Sequence, residues 1–275
     1  MDDQLRRRSV GAPAARSLLL TVLGEYVLPR EEGVWQEALV AALVALGSTP
    51  QAARQALART TRDGWLAAER RGRRAHMRLT ERSIGLLHAG AQRIYSFGEP
   101  WEWDERWLLV ALRVPERQRE VRNRLRTQLA WAGMGSLGGG LWLTPHVERE
   151  ADLTAMTKAE PHADLLSFVA NLGTLAKPET VIHEAWDLDA VAERYRTFIA
   201  DFGRLRPTSD EAIFRAQTTM VHAWRKFPFL DPDLPAELLP ARWPLRRAHK
   251  LFHDRHASWQ VSAQAHFASL GNGGG

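Results

Sequence analysis

Gln51, Arg54, Gln55, Arg59 and Arg62 follow one another at helical spacing, and four more arginines, Arg70, Arg71, Arg73 and Arg74, crowd around Gly72. A guanidinium fork can bridge guanine O6 and N7 or grip phosphate oxygens, and a carboxamide can bridge adenine N6 and N7. These groups recognise nucleic acid; none of them breaks bonds by itself. An Arg and Gln face on one helix is, taken alone, usually a solvated surface. The elements that hold these residues therefore decide between the two readings.

Thr49 has the side chain of an N-cap, Pro50 fits a first helical turn where its missing N–H costs nothing, and Gly64 fits a left-handed stop. The spacing predicts a helix between them. Ala53, Ala56, Leu57 and Thr60 share one side and face a core, while the Arg and Gln side chains share the other. Gln51, Arg54 and Gln55, near the N-terminus, are the candidate base readers; Arg59 and Arg62 lie where a helix meets phosphate. Upstream, Leu19, Val22, Leu23 and Tyr26 mark one amphipathic helix and Trp35, Leu39, Leu43 and Leu46 a second that stops at Gly47. A short glycine turn between two helices is the helix-turn-helix signature. Downstream, Trp65 to Glu69 and Ala75 to Leu79 read as two strands joined by a hairpin with Gly72 at its tip. The expected module is a winged helix-turn-helix with a basic wing.

Charge placement agrees. The formal charge is +5, and residues 1 to 90 hold 14 Arg against 9 acids, leaving 23 basic and 23 acidic residues in the remainder. A basic head on a neutral body is the footprint of directed phosphate binding. At 275 residues the chain suggests two or three domains. It has no cysteine, which excludes disulfides, thiolate metal sites and thiol catalysis. No apolar run reaches membrane length, and Met1 to Ala15 is polar and Arg-rich, so a cytoplasmic protein with a frayed start and a loose Gly-rich end is expected.

The middle of the chain changes pattern. Thr80 caps a short helix to about His88, and Arg93 to Asp104 reads as a linker. Trp107 to Val114 is an apolar strand, Pro115 to Ala132 an amphipathic helix, and Gly135 to Leu137 and Leu141 to Pro145 short strands. Helical periodicity resumes near Ala151, and Leu165 to Ala170 is a last strand. The order βαββαβ is ferredoxin-like, a suitable dimerisation unit. Gly133 to Gly138 spells G-x-G-x-x-G but follows a helix and enters a strand, the reverse of what a dinucleotide site needs. A metal-dependent nuclease on this fold would need a carboxylate at the first strand's end, where the chain has Arg113-Val114-Pro115; Asp104 and Glu105 read as linker acids. After Gly173 to Pro178, helical stripes at Val191 to Ile199, Glu211 to Lys226 and Leu245 to about His266 flank a proline-punctuated belt, Phe227 to Pro244. The fold class expected is therefore multidomain α+β: a winged helix-turn-helix in 1–92, a ferredoxin-like domain in 93–178 and an all-helical domain in 179–275.

Several stretches together resemble one family. Arg16 to Val27, Arg62-Asp63-Gly64-Trp65-Leu66, Arg93-Ile94-Tyr95, Trp142-Leu143-Thr144-Pro145, Trp186-Asp187-Leu188, Val221 to Phe227 and Trp243-Pro244 are similar, in order and along nearly the whole chain, to the PaaX family of transcriptional regulators. The resemblance implies a homodimeric repressor on operator DNA, a central domain akin to a small CRISPR-associated nuclease but used for dimerisation, and release by phenylacetyl-CoA in the control of phenylacetate catabolism. Thr60-Thr61 depart from the larger apolar residues of the family pattern. A CoA thioester needs cations for its phosphates and an apolar slot for its acyl group. Arg225 and Lys226 beside Trp224 and Phe227, with Trp186 and Tyr195 on neighbouring segments, are the candidate effector site; the competing reading is aromatic core with solvated cations. His249, His253 and His256 have a spacing that can present imidazoles to a metal, but with no adjacent carboxylate or Cys a surface stripe is the simpler reading of a would-be metal-responsive regulator. No catalytic residues, resident cofactor or metal are expected, since no nucleophile elbow or P-loop is present. A nuclease-like enzyme or general nucleic-acid binder remains the competing class.

Overall fold

The computed structural model describes residues 14–30, 32–151, 153–154 and 164–271, apart from the side chain of Glu116. The Arg-rich start before Ala14 and the last four glycine-rich residues lie outside them. So does most of the helix expected from Ala151, of which Glu150, Ala151, Leu153 and Thr154 are described as helical. The chain forms two compact units. One takes the residues up to Tyr95 together with Asp201–Arg225 and those from Lys250 on; the other takes Ser96–Ala200 and Lys226–His249. The third expected segment is thus shared between the two.

The first unit opens with α1 (Ala15–Val22), continues through a π-helical turn, Leu23–Val27, and pairs a two-residue strand β1 (Val34–Trp35) into its sheet. Next come α2 (Gln36–Ala45), α3 (Pro50–Arg62), β2 (Leu66–Arg71) and β3 (Arg74–Leu79). The sheet order is β1-β3-β2, all antiparallel, with Trp35 opposite His76 and Arg71 opposite Arg74. Trp35 therefore belongs to a strand and stands, extended, just before α2 rather than opening that helix's apolar stripe. The two-residue β1 carries no alternation long enough to be seen in sequence. Gly47 ends α2 at φ +91, with Ser48 N–H returning to Leu43 O and Gly47 N–H to Val44 O. This left-handed cap sets the short turn into α3.

The core of this unit joins α1, α2 and α3 through Leu19, Val22, Leu39, Leu43, Ala53, Ala56 and Leu57. Into it come α8 (Asp210–Trp224) and the last part of α9 (Leu245–Ser269), through Phe214, Ala263 and Phe267. Tyr26 is the hinge of that packing: its ring lies 5.1 Å from Phe214 and 5.0 Å from Phe267, and its hydroxyl is 2.8 Å from Thr218 Oγ1. The helix after Thr80 is longer than expected. It is α4 (Glu81–Tyr95), because Tyr95 is held by Glu25 and His256 and its ring lies 5.7 Å from Phe252. The segment read as a linker from Arg93 thus begins only at Ser96.

In the second unit β4 (Arg106–Arg113), α5 (Arg119–Trp131), β5 (Gly135–Ser136), β6 (Leu141–Thr144) and β7 (Asp164–Asn171) build an antiparallel sheet in the order β5-β6-β4-β7. β4 is buried on both faces. Leu108, Val110 and Leu112 meet Leu125 and Leu129 of α5, whereas Trp107 and Leu109 meet Val181 and Ile182 of α6 (Pro178–Ala185). That double burial is why its sequence is a continuous apolar run. The helix expected from Pro115 is split: a 3-10 turn, Glu116–Gln118, precedes α5, with Pro115 extended at ψ 144. Helix α7 (Leu188–Gly203) contributes residues to both units.

Candidate nucleic-acid interface

The candidate interface begins with the caps of α3. Thr49 Oγ1 accepts from Ala52 N–H at 3.2 Å, Pro50 occupies the first turn, and Gly64, at φ +75, closes the other end with Trp65 N–H on Thr60 O. An N-cap of this kind stabilises by about 1 kcal/mol. Ala53, Ala56, Leu57 and Thr60 are buried, which orients the opposite side outward. Thr60 seats without a penalty for its hydroxyl because Oγ1 donates to Ala56 O at 2.8 Å, and Thr61 does the same to Leu57 O at 3.0 Å. The departure from a larger apolar side chain is thereby accommodated within the helix.

Gln51, Arg54, Gln55, Arg59 and Arg62 are all exposed. Among the described residues their side chains have neither hydrogen bond nor ion-pair partners. An ordered helix holding several cations and amides out to solvent with no internal partner leaves their donors for an external ligand. The C-terminal end of α3 is fixed instead by Asp63, whose carboxylate takes Arg16 of α1 at 2.5 Å.

Hairpin β2–β3 turns through Gly72 and Arg73, with Gly72 at φ +64. Positive φ at the first turn residue suits the twist of a tight hairpin and favours glycine there. The four arginines around it have different surroundings. Arg70 and Arg73 are exposed and without a side-chain partner among the described residues. Arg71 pairs with Glu69 at 3.0 Å, and the same guanidinium holds the Glu69 carboxyl below its ordinary range. Arg74 lies 4.3 Å over the Trp35 ring, donates to Gly271 O at 3.0 Å and stands 3.7 Å from Glu37. Arg74 is therefore a foot that fixes the hairpin to β1 and to Gly271. Its residue type gives no sign of this, because its partner strand is invisible in sequence.

The residues considered for an effector fall into separate contacts. Trp224 is fully buried, stacked on Phe252 at 4.7 Å, with its indole N–H on Ile94 O. Arg225 donates to Ser17 O at 3.1 Å and to Ser17 Oγ at 2.8 Å, and burial lowers its pKa. Tyr195 and Phe227 do meet, stacked at 4.2 Å, with the tyrosine hydroxyl on Asp231 at 2.6 Å. Burial pushes both Tyr195 and Asp231 above their ordinary pKa values. Trp186 stacks on Trp107 at 6.5 Å, and its ring crowds Gly135, where a Cβ would come within 2.6 Å. This close approach at Gly135, together with the positive φ of Gly133 and of Gly138, accounts for the three glycines of the G-x-G-x-x-G pattern. Lys226 is exposed.

His256 is not part of a bare surface stripe. Its Nε2 lies 2.9 Å from the Glu25 carboxylate, which also takes Tyr95, and Gln217 at 3.4 Å. This polar hub joins residues far apart in sequence, so no local pattern announces it. Among the described residues no group of three or more His, Asp or Glu side chains could hold a metal ion. Asp104 pairs with Arg106 at 2.5 Å, and Arg113, ending β4, stands 3.8 Å from Asp164.

A capped helix with an exposed Arg and Gln face, followed by an arginine-tipped hairpin, has the surface chemistry of a DNA-binding regulator. Comparison with known proteins is consistent with it. Three family models match in chain order: PaaX-like protein over residues 14–83, PaaX protein central Cas2-like domain over 100–182, and PaaX-like protein C-terminal domain over 186–269. The chain is 30% identical over 246 residues, 86% of its length and 77% of the relative's, to Transcriptional repressor PaaX of Escherichia coli K12. An uncharacterized protein from Mycobacterium tuberculosis has the same fold, with a TM-score of 0.61 at 23% identity over 92% of this chain and 98% of that one. The chain belongs to the PaaX family.

Proposed function

We propose that the chain is a sequence-specific DNA-binding transcriptional repressor without enzymatic activity. The observation that carries this reading is the exposed face formed by Gln51, Arg54, Gln55, Arg59 and Arg62, without hydrogen-bond or ion-pair partners among the described residues, on a helix whose other side is locked into the core. The element order α1-β1-α2-α3-β2-β3 supports a winged helix-turn-helix, with α3 as the reading helix and Arg70, Arg71 and Arg73 as the wing cations. Strand order β5-β6-β4-β7 supports a ferredoxin-like central domain, the proposed dimerisation unit. In the proposed domain scheme, 1–92 binds DNA, 93–178 dimerises and 179–275 answers the effector. A dimer would place two reading helices in successive major grooves, roughly 34 Å or a multiple apart, on an inverted repeat.

The family resemblance supports a finer reading: control of a phenylacetate-type catabolic operon, with release from the operator by an aryl- or acyl-CoA thioester. A cytoplasmic location fits this work, and among the described residues no helix is long and apolar enough to cross a membrane. The test is fluorescence anisotropy of labelled duplex from upstream of the chain's own gene, against a scrambled duplex at matched salt, with and without phenylacetyl-CoA. Specific binding that the thioester releases is the expected result. Equal affinity for both duplexes would overturn sequence-specific recognition and favour a general nucleic-acid binder.

A further inference from the structure

Helix α8 has two faces with different duties. Phe214 stacks against Tyr26, Thr218 bonds the Tyr26 hydroxyl, His222 Nδ1 lies 2.9 Å from Thr21 Oγ1, and Arg225 holds Ser17. That face is bolted to α1 and to the turn after it, and α1 in turn is tied to the end of α3 through Arg16 and Asp63. An adjoining face, with Glu211, Ala212, Arg215, Ala216 and Thr219, lines an open cleft of about 640 Å³ completed by Phe202 near the end of α7 and by Leu205, Arg206, Pro207 and Ser209 of the loop that follows it.

The cleft is amphiphilic. Phe202, Leu205, Pro207, Ala212 and Ala216 supply an apolar bed, and Arg206 and Arg215 supply two cations. Among the described residues neither guanidinium has a carboxylate partner, although Glu211 is in the lining. Arg206 is held in place by two backbone carbonyls, Gly203 O at 3.1 Å and Leu205 O at 2.8 Å. Arg255 reaches the same Gly203 O at 3.1 Å, and its pKa is lowered by burial and then by the Arg206 charge. Positive potential is thus concentrated beside an apolar bed in a space of small-ligand size.

The geometry points to this cleft as the effector site of the repressor, taking an amphiphilic organic anion whose acidic group meets Arg206 and Arg215 and whose apolar body lies on Phe202, Leu205 and Pro207. The assignment rests on the effector-released repressor reading above. Both a CoA thioester and a free aryl carboxylate carry such chemistry. Binding acts on the outer face of α8 while its inner face grips α1, so a ligand that prefers a shifted α8 lowers operator affinity through Tyr26, Thr21 and Ser17.

The test titrates the full-length protein calorimetrically with phenylacetyl-CoA and, separately, with phenylacetate, alongside operator anisotropy. The variants are the double substitution Arg206→Ala with Arg215→Ala, both exposed positions, and Ala216→Trp, which fills the cleft. Wild-type uptake of either compound, weakened about tenfold or more in the double variant and in Ala216→Trp, is the expected result, and the compound bound identifies the source. Uptake unchanged in both variants, or no uptake of either compound by a protein that binds its operator, would overturn the cleft. Absent operator recognition with arginine-dependent uptake would instead sink the repressor reading and leave the cleft standing as a ligand site.

Discussion

On α3 the cations stand outward from a buried apolar stripe and have no hydrogen-bond or ion-pair partner among the described residues; where α8 ends, Trp224 is enclosed against Phe252 and Arg225 is held by Ser17. The two regions use similar residues, arginines next to an apolar stripe, for opposite purposes. What separates them is partnership. A half-buried cation with two oxygen acceptors holds helices together, whereas an ordered, exposed cation with none is available to a ligand. The comparison predicts that substitutions at the end of α8 lower stability, and that substitutions on α3 lower recognition while leaving stability alone.

The largest effect is expected at Trp224→Ala. Removing a fully buried indole stacked on Phe252 should cost roughly 3–5 kcal/mol in urea unfolding, and a loss under about 1 kcal/mol would show that the site collapses or is not core. Next is Arg54→Ala, for which a loss of ~1–3 kcal/mol in operator affinity, confined to one base position, should accompany an unchanged unfolding midpoint. Arg225→Ala sharpens the contrast from the other side. It strips Ser17 of two hydrogen bonds, and a stability loss of about 1–2 kcal/mol is expected, with operator specificity retained once the protein is folded. The smallest effect belongs to Arg73→Ala at the hairpin tip: affinity for operator and scrambled duplex should fall alike, and the slope of log K against log salt should flatten by about one unit. A base-specific loss there would mean that the hairpin reads sequence.

Helix α3 was legible because its signals are local. Thr49, Pro50 and Gly64 mark its ends, and the side buried in the structure is the side that Ala53, Ala56, Leu57 and Thr60 mark in sequence. Strand β4 was legible for a similar reason, its double burial being written as an unbroken apolar run. What escaped depends on contacts between distant residues. Two-residue β1 has no pattern of its own, yet it supplies the Trp35 ring that engages Arg74. Residues 25, 95, 217 and 256 meet at one buried carboxylate with no spacing that could foretell it. Trp224 and Tyr195 read in sequence as either ligand-facing or core aromatics, and their stacking partners, Phe252 and Phe227, are contacts no local pattern announces.

The exposed face of α3 as the reader of base sequence is tested most directly by the ratio of dissociation constants for operator and scrambled duplex. It should be measured at matched salt for the wild type and for the triple substitution Gln51→Ala, Arg54→Ala and Gln55→Ala. The account predicts that the ratio falls toward one in the triple variant while affinity for the scrambled duplex is largely kept, because Arg59, Arg62, Arg70 and Arg73 still meet phosphate. A ratio unchanged from the wild type would place sequence reading elsewhere and contradict it.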